Sequence, residues 1–336
     1  MSAVLRGVIA LVASFALSVL SAPTVIKAAS KLKAGQPILR YVEEHAVKAG
    51  TPTMGGWIFI LPTVLVTLAF TRGLGAGRVA VITTSAYAVI GFLDDFLKIK
   101  RKDNGGLKPY QKIISQLGVA AILCWYVWRT PSISTVVYIP FYKAVDIGYW
   151  ILPLTAFVYI AGTNAVNLTD GLDGLAGNTT VVYCLGATAL FVLVTVAEGD
   201  SGRNLDELSV FALALTGALE GFLLYNTSPA KVFMGDTGSM ALGGAVCSLA
   251  VFSRLTFYLP VIGIMYVVSC ITVIVQVGYF KLSKGKRVFL MAPLHHHLQR
   301  KGMSEAKISA LYVALTLLGA AIAVAGVYLG YYGVDG

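Results

Sequence analysis

The chain is predicted to fold as an all-α polytopic membrane protein of about ten transmembrane helices, and three observations predict it. Apolar residues make up 57% of its 336 residues and charged residues only 12%, against roughly 25% charged in a soluble domain. The mean hydropathy is +0.77. The apolar residues also fall in runs of the length that carries a helix across a bilayer core, about 20 residues. A net charge of +10 in a soluble protein would raise nucleic acid as a partner. Here the Lys and Arg residues lie between apolar runs, as topology determinants do, and no nucleic-acid partner is expected.

In chain order, the expected spans cover about 4–22, 53–71, 79–95, 112–129, 149–165, 176–197, 206–224, 238–253, 258–280 and 307–332. The first has one preceding cation, Arg6, and ends in Ser21-Ala22-Pro23. It imitates a secretory leader, but with so many later spans it reads as an uncleaved helix. Pro153 interrupts the fifth span and the eighth is short. Cys124, Cys184, Cys247 and Cys270 each lie in an apolar run at wide spacing, the pattern of small core residues rather than of a disulfide or zinc framework. With no repeat or low-complexity tract, residues 1–336 form a single integral-membrane domain.

An even number of spans puts both termini on one side. The loops after spans one, three, five, seven and nine hold nineteen of the 26 Lys and Arg residues. The excess assigns those loops to the cytoplasm and both termini to the external side. The polar clusters with chemical potential lie in the same loops.

Loop two opens on Asp94-Asp95, at the end of the apolar run 79–93 and four residues before Lys98. Acids at the edge of a span are costly and mark function by default. At the C-terminal end of a helix they also need a cation to offset the helix dipole. Adjacent side chains diverge by about 100°, so the two acids need not share one ligand. The plain alternative is an i,i+4 pair of Asp94 with Lys98.

Loop one carries Lys48-Ala49-Gly50-Thr51-Pro52-Thr53-Met54-Gly55-Gly56, glycines and hydroxyls suited either to a phosphate at a helix start or to a plain helix start. Loop three, Asn164-Ala165-Val166-Asn167-Leu168-Thr169-Asp170-Gly171-Leu172-Asp173-Gly174, is dense in Asn and Asp without a lysine, which points to a divalent cation or a ligand's donor groups. Loop four, Phe233-Met234-Gly235-Asp236-Thr237-Gly238-Ser239, offers a carboxylate at a helix start, either an N-cap or a ligand for Mg²⁺. Loop five holds His295-His296-His297. Three consecutive histidines splay too far apart for zinc, and proton or phosphate handling fits them better. Together these loops describe a hard-cation, phosphate-handling site. Its substrates are a soluble polyphosphate and a lipid.

At these motifs the chain resembles the polyprenyl-phosphate N-acetylhexosamine-1-phosphate transferase superfamily, and within it the phospho-N-acetylmuramoyl-pentapeptide transferase family. The resemblance runs through Lys48–Gly56, Asp94-Asp95, Asn167–Gly174, Phe233–Ser239 and Ala292–His297, nearly the whole chain. Pro293-Leu294-His295-His296-His297 and Gly50–Gly56 point to the muramoyl-pentapeptide branch. The resemblance implies transfer from UDP-N-acetylmuramoyl-pentapeptide to undecaprenyl phosphate, giving lipid I and UMP. It also implies Mg²⁺, a bacterial cytoplasmic membrane and a homodimer. Carried over, Asp236 is the metal ligand. Asp94 deprotonates or orients the lipid phosphate, Asp95 supports the site, and His295 joins the catalytic set. Lys48, Thr53, Lys98, Asn167, Asp170, Asp173, Phe233, His296 and His297 fall to the substrates, Phe233 by stacking on uracil. One departure follows the histidines: Leu298-Gln299 replaces the aromatic and acid common in relatives, leaving no acid at 299. The rival readings are a sister transferase using UDP-N-acetylglucosamine and, more remotely, an ion-coupled transporter.

Overall fold

A computed structural model describes residues 3–32, 50–101, 105–130, 133, 135–198 and 205–332. Twelve helices run in chain order among the described residues: α1 (Ala3–Lys31), α2 (Trp57–Phe70), α3 (Ala76–Arg101), α4 (Pro109–Arg129), α5 (Ile151–Thr169), α6 (Leu175–Glu198), α7 (Leu205–Asn226), α8 (Gly235–Phe252), α9 (Leu259–Ile262), α10 (Ile264–Leu282), α11 (Leu294–Arg300) and α12 (Glu305–Tyr332). Every expected span coincides with a helix. Seven of them are long and apolar enough to cross a membrane, and α2 is a shorter apolar helix. The architecture is an all-α polytopic membrane bundle.

The departures from expectation have local causes. The first helix continues through Pro23 to Lys31, past its predicted end near residue 22, and Ala22, Val25 and Ile26 pack into the main core there. The ninth span divides at Gly263 into α9 and α10. Residues 136–146, between the fourth and fifth expected spans, form a hairpin in which β1 (Val136–Tyr138) pairs antiparallel with β2 (Ala144–Asp146), Val137 opposite Val145. The β-branched residues of Val136-Val137 and Val145 favour this extended pairing. The Tyr138 hydroxyl donates to Glu198, as does that of Tyr331, tying the hairpin to the ends of α6 and α12.

The bundle is organised around α8. Every residue of this helix except Asp236 is buried, because α3 and α5 pack along it. A helix that touches no lipid needs no continuous apolar surface, which is why its sequence is short and rich in small residues. Small residues also let neighbouring backbones approach closely. A Cβ on Gly91 of α3 would overlap the backbone carbonyl of Asp236, so glycine at 91 lets α3 lie directly on the first turn of α8. The C-terminal ends of α3, α5 and α7 and the N-terminal ends of α4, α6 and α8 share one end of the bundle, and loops two, three and four meet there.

Candidate active site

The site is built on the first turn of α8. Gly235 sits at φ +72°, a conformation that other residues rarely adopt, and a Cβ there would press on the Asp95 carboxylate and on Thr53. The glycine turns the chain so that Asp236 opens the helix. Asp95, 1% exposed, accepts hydrogen bonds from the backbone N–H of Asp236 (3.1 Å), the backbone N–H of Thr237 (2.9 Å) and the Thr237 hydroxyl (2.7 Å). The unsatisfied amides of a helix start carry partial positive charge. Asp95 therefore caps α8 from another helix and fixes where Asp236 points.

Asp94 faces differently, as adjacent helical residues must. Its Oδ1 accepts from the Leu107 backbone N–H at 2.8 Å and its Oδ2 pairs with Lys98 at 2.6 Å. Lys98 reaches on to Asp236 Oδ2 at 2.5 Å. Asp236 Oδ1 takes Lys112 of α4 at 3.3 Å and the Asn167 amide of α5 at 2.5 Å, and Asn167 also donates to Ser239 at 2.7 Å. Despite their separate partners, Asp94, Asp95 and Asp236 each offer one oxygen, and these oxygens lie within 4.8 Å of one another.

Asp170 follows the last residue of α5 and lies in the same field. Its carboxyl is pushed up to about 8, first by burial and then by the charges of Asp236, Asp95 and Asp173. Among the described residues, the ammonium groups paired with acids here are those of Lys98 and Lys112. Beyond burial, the three neighbouring carboxylates raise Asp170 further, so added positive charge is favoured here. Clustered hard oxygen donors suit a divalent cation such as Mg²⁺, so these carboxylates fit a metal.

A model of glycosyl transferase family 4 matches residues 78–254, more than half of the chain, and a phospho-N-acetylmuramoyl-pentapeptide-transferase signature matches residues 48–60. The chain is 42% identical over 312 residues to a phospho-N-acetylmuramoyl-pentapeptide-transferase of Clostridium botulinum (strain Alaska E43 / Type E3), covering 92% of this chain and 93% of that protein. It is 42% identical over 328 residues to one of Geobacillus thermodenitrificans, covering 96% and 97%. It is 41% identical over 308 residues to one of Caldanaerobacter subterraneus, covering 91% and 93%. The chain belongs to the phospho-N-acetylmuramoyl-pentapeptide-transferase family.

In this transferase-family chain the glycosyl transferase match runs from α3 to just past α8 and so contains Asp94, Asp95, Asp170 and Asp236. The signature segment is folded against loop four: Phe233 N–H donates to Pro52 at 2.8 Å, Gly55 N–H to Phe233 at 2.8 Å and Gly56 N–H to Met234 at 3.0 Å. Thr53 is thereby buried, its hydroxyl without a partner. Lys48 lies outside the described residues. Phe233 is partly exposed beside this pairing, and its backbone holds the two loops together.

Asp173 accepts from the Ala230 backbone N–H at 3.0 Å, and Asn226 accepts from Gly174 N–H at 3.0 Å while donating to the Val232 carbonyl at 2.9 Å. Asp173 thus ties loop three to loop four, one turn away from the oxygens that converge with Asp236.

The histidines part company. His295 is fully buried with both ring nitrogens unpartnered, and it lies so close to Gly171 that a Cβ there would overlap its Nε2. Burial, then His296, hold its ring neutral, well below the ordinary histidine range. His296 Nδ1 meets Gln299 Oε1 at 3.3 Å, and Gln299 donates to Glu305 at 3.3 Å. Where the chain lacks an acid at 299, the glutamine reaches one at 305. His297 turns outward and accepts from Leu290 N–H at 3.1 Å. Sequence reasoning counted Lys112 only as a topology cation and passed over Gln116, while Asn164, Thr237 and Ser239 were read as members of their loops without an assigned partner. Four residues separate Lys112 from Gln116, one face of a helix, and that spacing was the available signal.

Proposed function

We propose that this chain transfers phospho-N-acetylmuramoyl-pentapeptide from its UDP donor to undecaprenyl phosphate, releasing UMP and forming lipid I. The observation that carries the reading is the convergence of three carboxylates and two lysines at one end of a membrane bundle, in a chain of this family. Phosphoryl transfer needs positioning and charge neutralisation more than covalent help. An oxygen of the lipid phosphate attacks the phosphorus joined to the sugar. The bond from that phosphorus to UMP breaks, and UMP leaves with the electron pair.

Lys98 and Lys112 supply fixed positive charge beside the transferring group. Asp94 orients the lipid phosphate and takes up its proton. Both of its oxygens are engaged, by Leu107 and Lys98, and its side chain is only 5% exposed, which favours direct attack by the lipid over a phospho-aspartyl intermediate. Asp236, with Asp94 and Asp95, would hold Mg²⁺, which supplies charge neutralisation for the diphosphate when bound. Asn167, Asp170 and Phe233, with Lys48 and Thr53, form the donor side, Phe233 stacking on uracil. His295 closes the site against the Asp170 turn. The enzyme acts as one domain, as a homodimer, in a bacterial cytoplasmic membrane. The nineteen loop cations support a cytoplasmic position for this end, on the side of a soluble nucleotide donor.

The deciding test is turnover of the purified protein with undecaprenyl phosphate and either UDP-N-acetylmuramoyl-pentapeptide or UDP-N-acetylglucosamine. UMP release with the first alone is the expected result. Release with the second alone would assign the sister reaction.

The cation also has a pH signature. A cation among the acids favours ionised Asp170, so cation binding expels its proton. Apparent affinity is expected to rise with pH up to about 8 and to level off above. Calorimetric Mg²⁺ titrations at about pH 6.5 and about pH 8.5 test it, and equal affinities at both would remove the coupling.

A further inference from the structure

One helical turn below Asp236, two side-chain amides face each other, one buried and one half-buried. Gln116 of α4 is fully buried. Its Oε1 accepts from Asn164 Nδ2 of α5 at 2.8 Å, and its Nε2 points back to Asn164 Oδ1 at 3.4 Å and to Met240 Sδ of α8 at 3.9 Å. Asn164 Nδ2 also donates to the Ile160 carbonyl at 2.8 Å.

The two helices carry these residues in a repeating pattern. On α4, Lys112 and Gln116 are four residues apart; on α5, Asn164 and Asn167 are three apart. Both spacings put the pair on one face of a helix. The upper pair, Lys112 and Asn167, takes one atom, Asp236 Oδ1, from either side. The lower pair, Gln116 and Asn164, binds only itself and the bundle. The result is a two-rung ladder whose lower rung hydrogen-bonds to none of the acids, with Gln116 fully buried and Asn164 half-buried.

A buried amide without its partner is costly, and a reciprocal amide pair is satisfied at one helix register. Sliding α4 by one residue along α5 would break both contacts. Buried polar pairs of this kind are best attested as setters of register. We propose that Gln116 and Asn164 are positioning residues: they set α4 against α5 so that Lys112 and Asn167 meet at Asp236 Oδ1. The inference deepens the transferase reading given above and rests on the cation site within it.

The test uses the full-length protein in detergent with Mn²⁺ as the probe, followed by electron paramagnetic resonance, together with kcat, donor KM and melting temperature. The variants are Gln116→Met, Asn164→Leu and the exchange Gln116→Asn with Asn164→Gln. Each single variant is expected to bind Mn²⁺ about tenfold more weakly and to lose about tenfold in kcat, as happens when groups behind a metal ligand are removed. Donor KM stays close to the parent, melting temperature falls modestly because one amide is left unpaired, and the exchange recovers most of the losses. Parent-like Mn²⁺ affinity in both single variants overturns the proposal. So does a fall in kcat that follows melting temperature while Mn²⁺ affinity is unchanged. Absence of Mn²⁺ binding in the parent protein would instead refute the cation site itself.

Discussion

Replacing Asp236 with Asn is expected to lower turnover by about a thousandfold or more, the scale reached when a group aimed at developing charge is lost from an active site. Among the described residues, Asp236 is the acid of this site that pairs with two lysines: Lys98 on Oδ2 and Lys112 on Oδ1, where the Asn167 amide also donates. Asparagine keeps the size but removes the charge. It also turns an amide NH₂ toward lysines that cannot accept it. The fold should survive, because Asp95 caps α8 through the backbone N–H at 236 and not through the side chain. The measurement is UMP release with Mg²⁺ in excess, alongside the melting temperature in detergent. Activity within tenfold of the parent would remove Asp236 as the metal's anchor.

The second large effect is steric and comes from a residue with no side chain. Gly91→Ala puts a methyl group into the Asp236 carbonyl and the Thr237 amide, so α3 and α8 must separate. Overpacking of this kind costs about 1–3 kcal/mol, and a displacement of about 1 Å at a reacting group costs about a hundredfold in rate. Both losses are expected together: a lower melting temperature and kcat down about a hundredfold. Gly118→Ala on α4 is the control, because nothing lies within 4 Å of its added Cβ, and it should leave both unchanged. If Gly91→Ala behaves like Gly118→Ala, the close contact of α3 with α8 does not govern the site.

Much of this arrangement was legible in the sequence. The apolar runs marked the helices, since nothing but length and hydropathy decides a span. The acids stood out because charge is rare in such a chain. What stayed hidden was set by contacts between distant residues. Lys112 meets Asp236 across 124 positions, and in the sequence it is one more cation after a span. Gln116 and Asn164 look like ordinary polar residues near helix ends until α4 and α5 are placed side by side. The division of labour within Asp94-Asp95 was legible only in part. Divergence by a helical step follows from geometry, but that Asp95 caps a helix beginning at residue 235 depends on how α3 meets α8. The histidines show the same limit. Their splay was expected, whereas the inward turn of His295 toward Gly171 required the fold of loop three.

The capping of α8 by Asp95 also bears on biogenesis. During synthesis, Asp94 and Lys98 can pair as soon as α3 is made, because they are one helical turn apart. Asp95 has no such local partner. Its three donors lie on residues 236 and 237, about 140 residues later in translation. Until α8 enters the membrane, the end of α3 carries a carboxylate that cannot be buried cheaply. The nascent chain should therefore leave that end near the headgroups and draw it inward only when the eighth span arrives. Insertion of α8 then brings Asp236 beside Asp94 and Asp95 and fills the middle of the bundle in one event. A ribosome stalled before residue 235 would hold a chain whose first seven helices are made but whose centre has not closed.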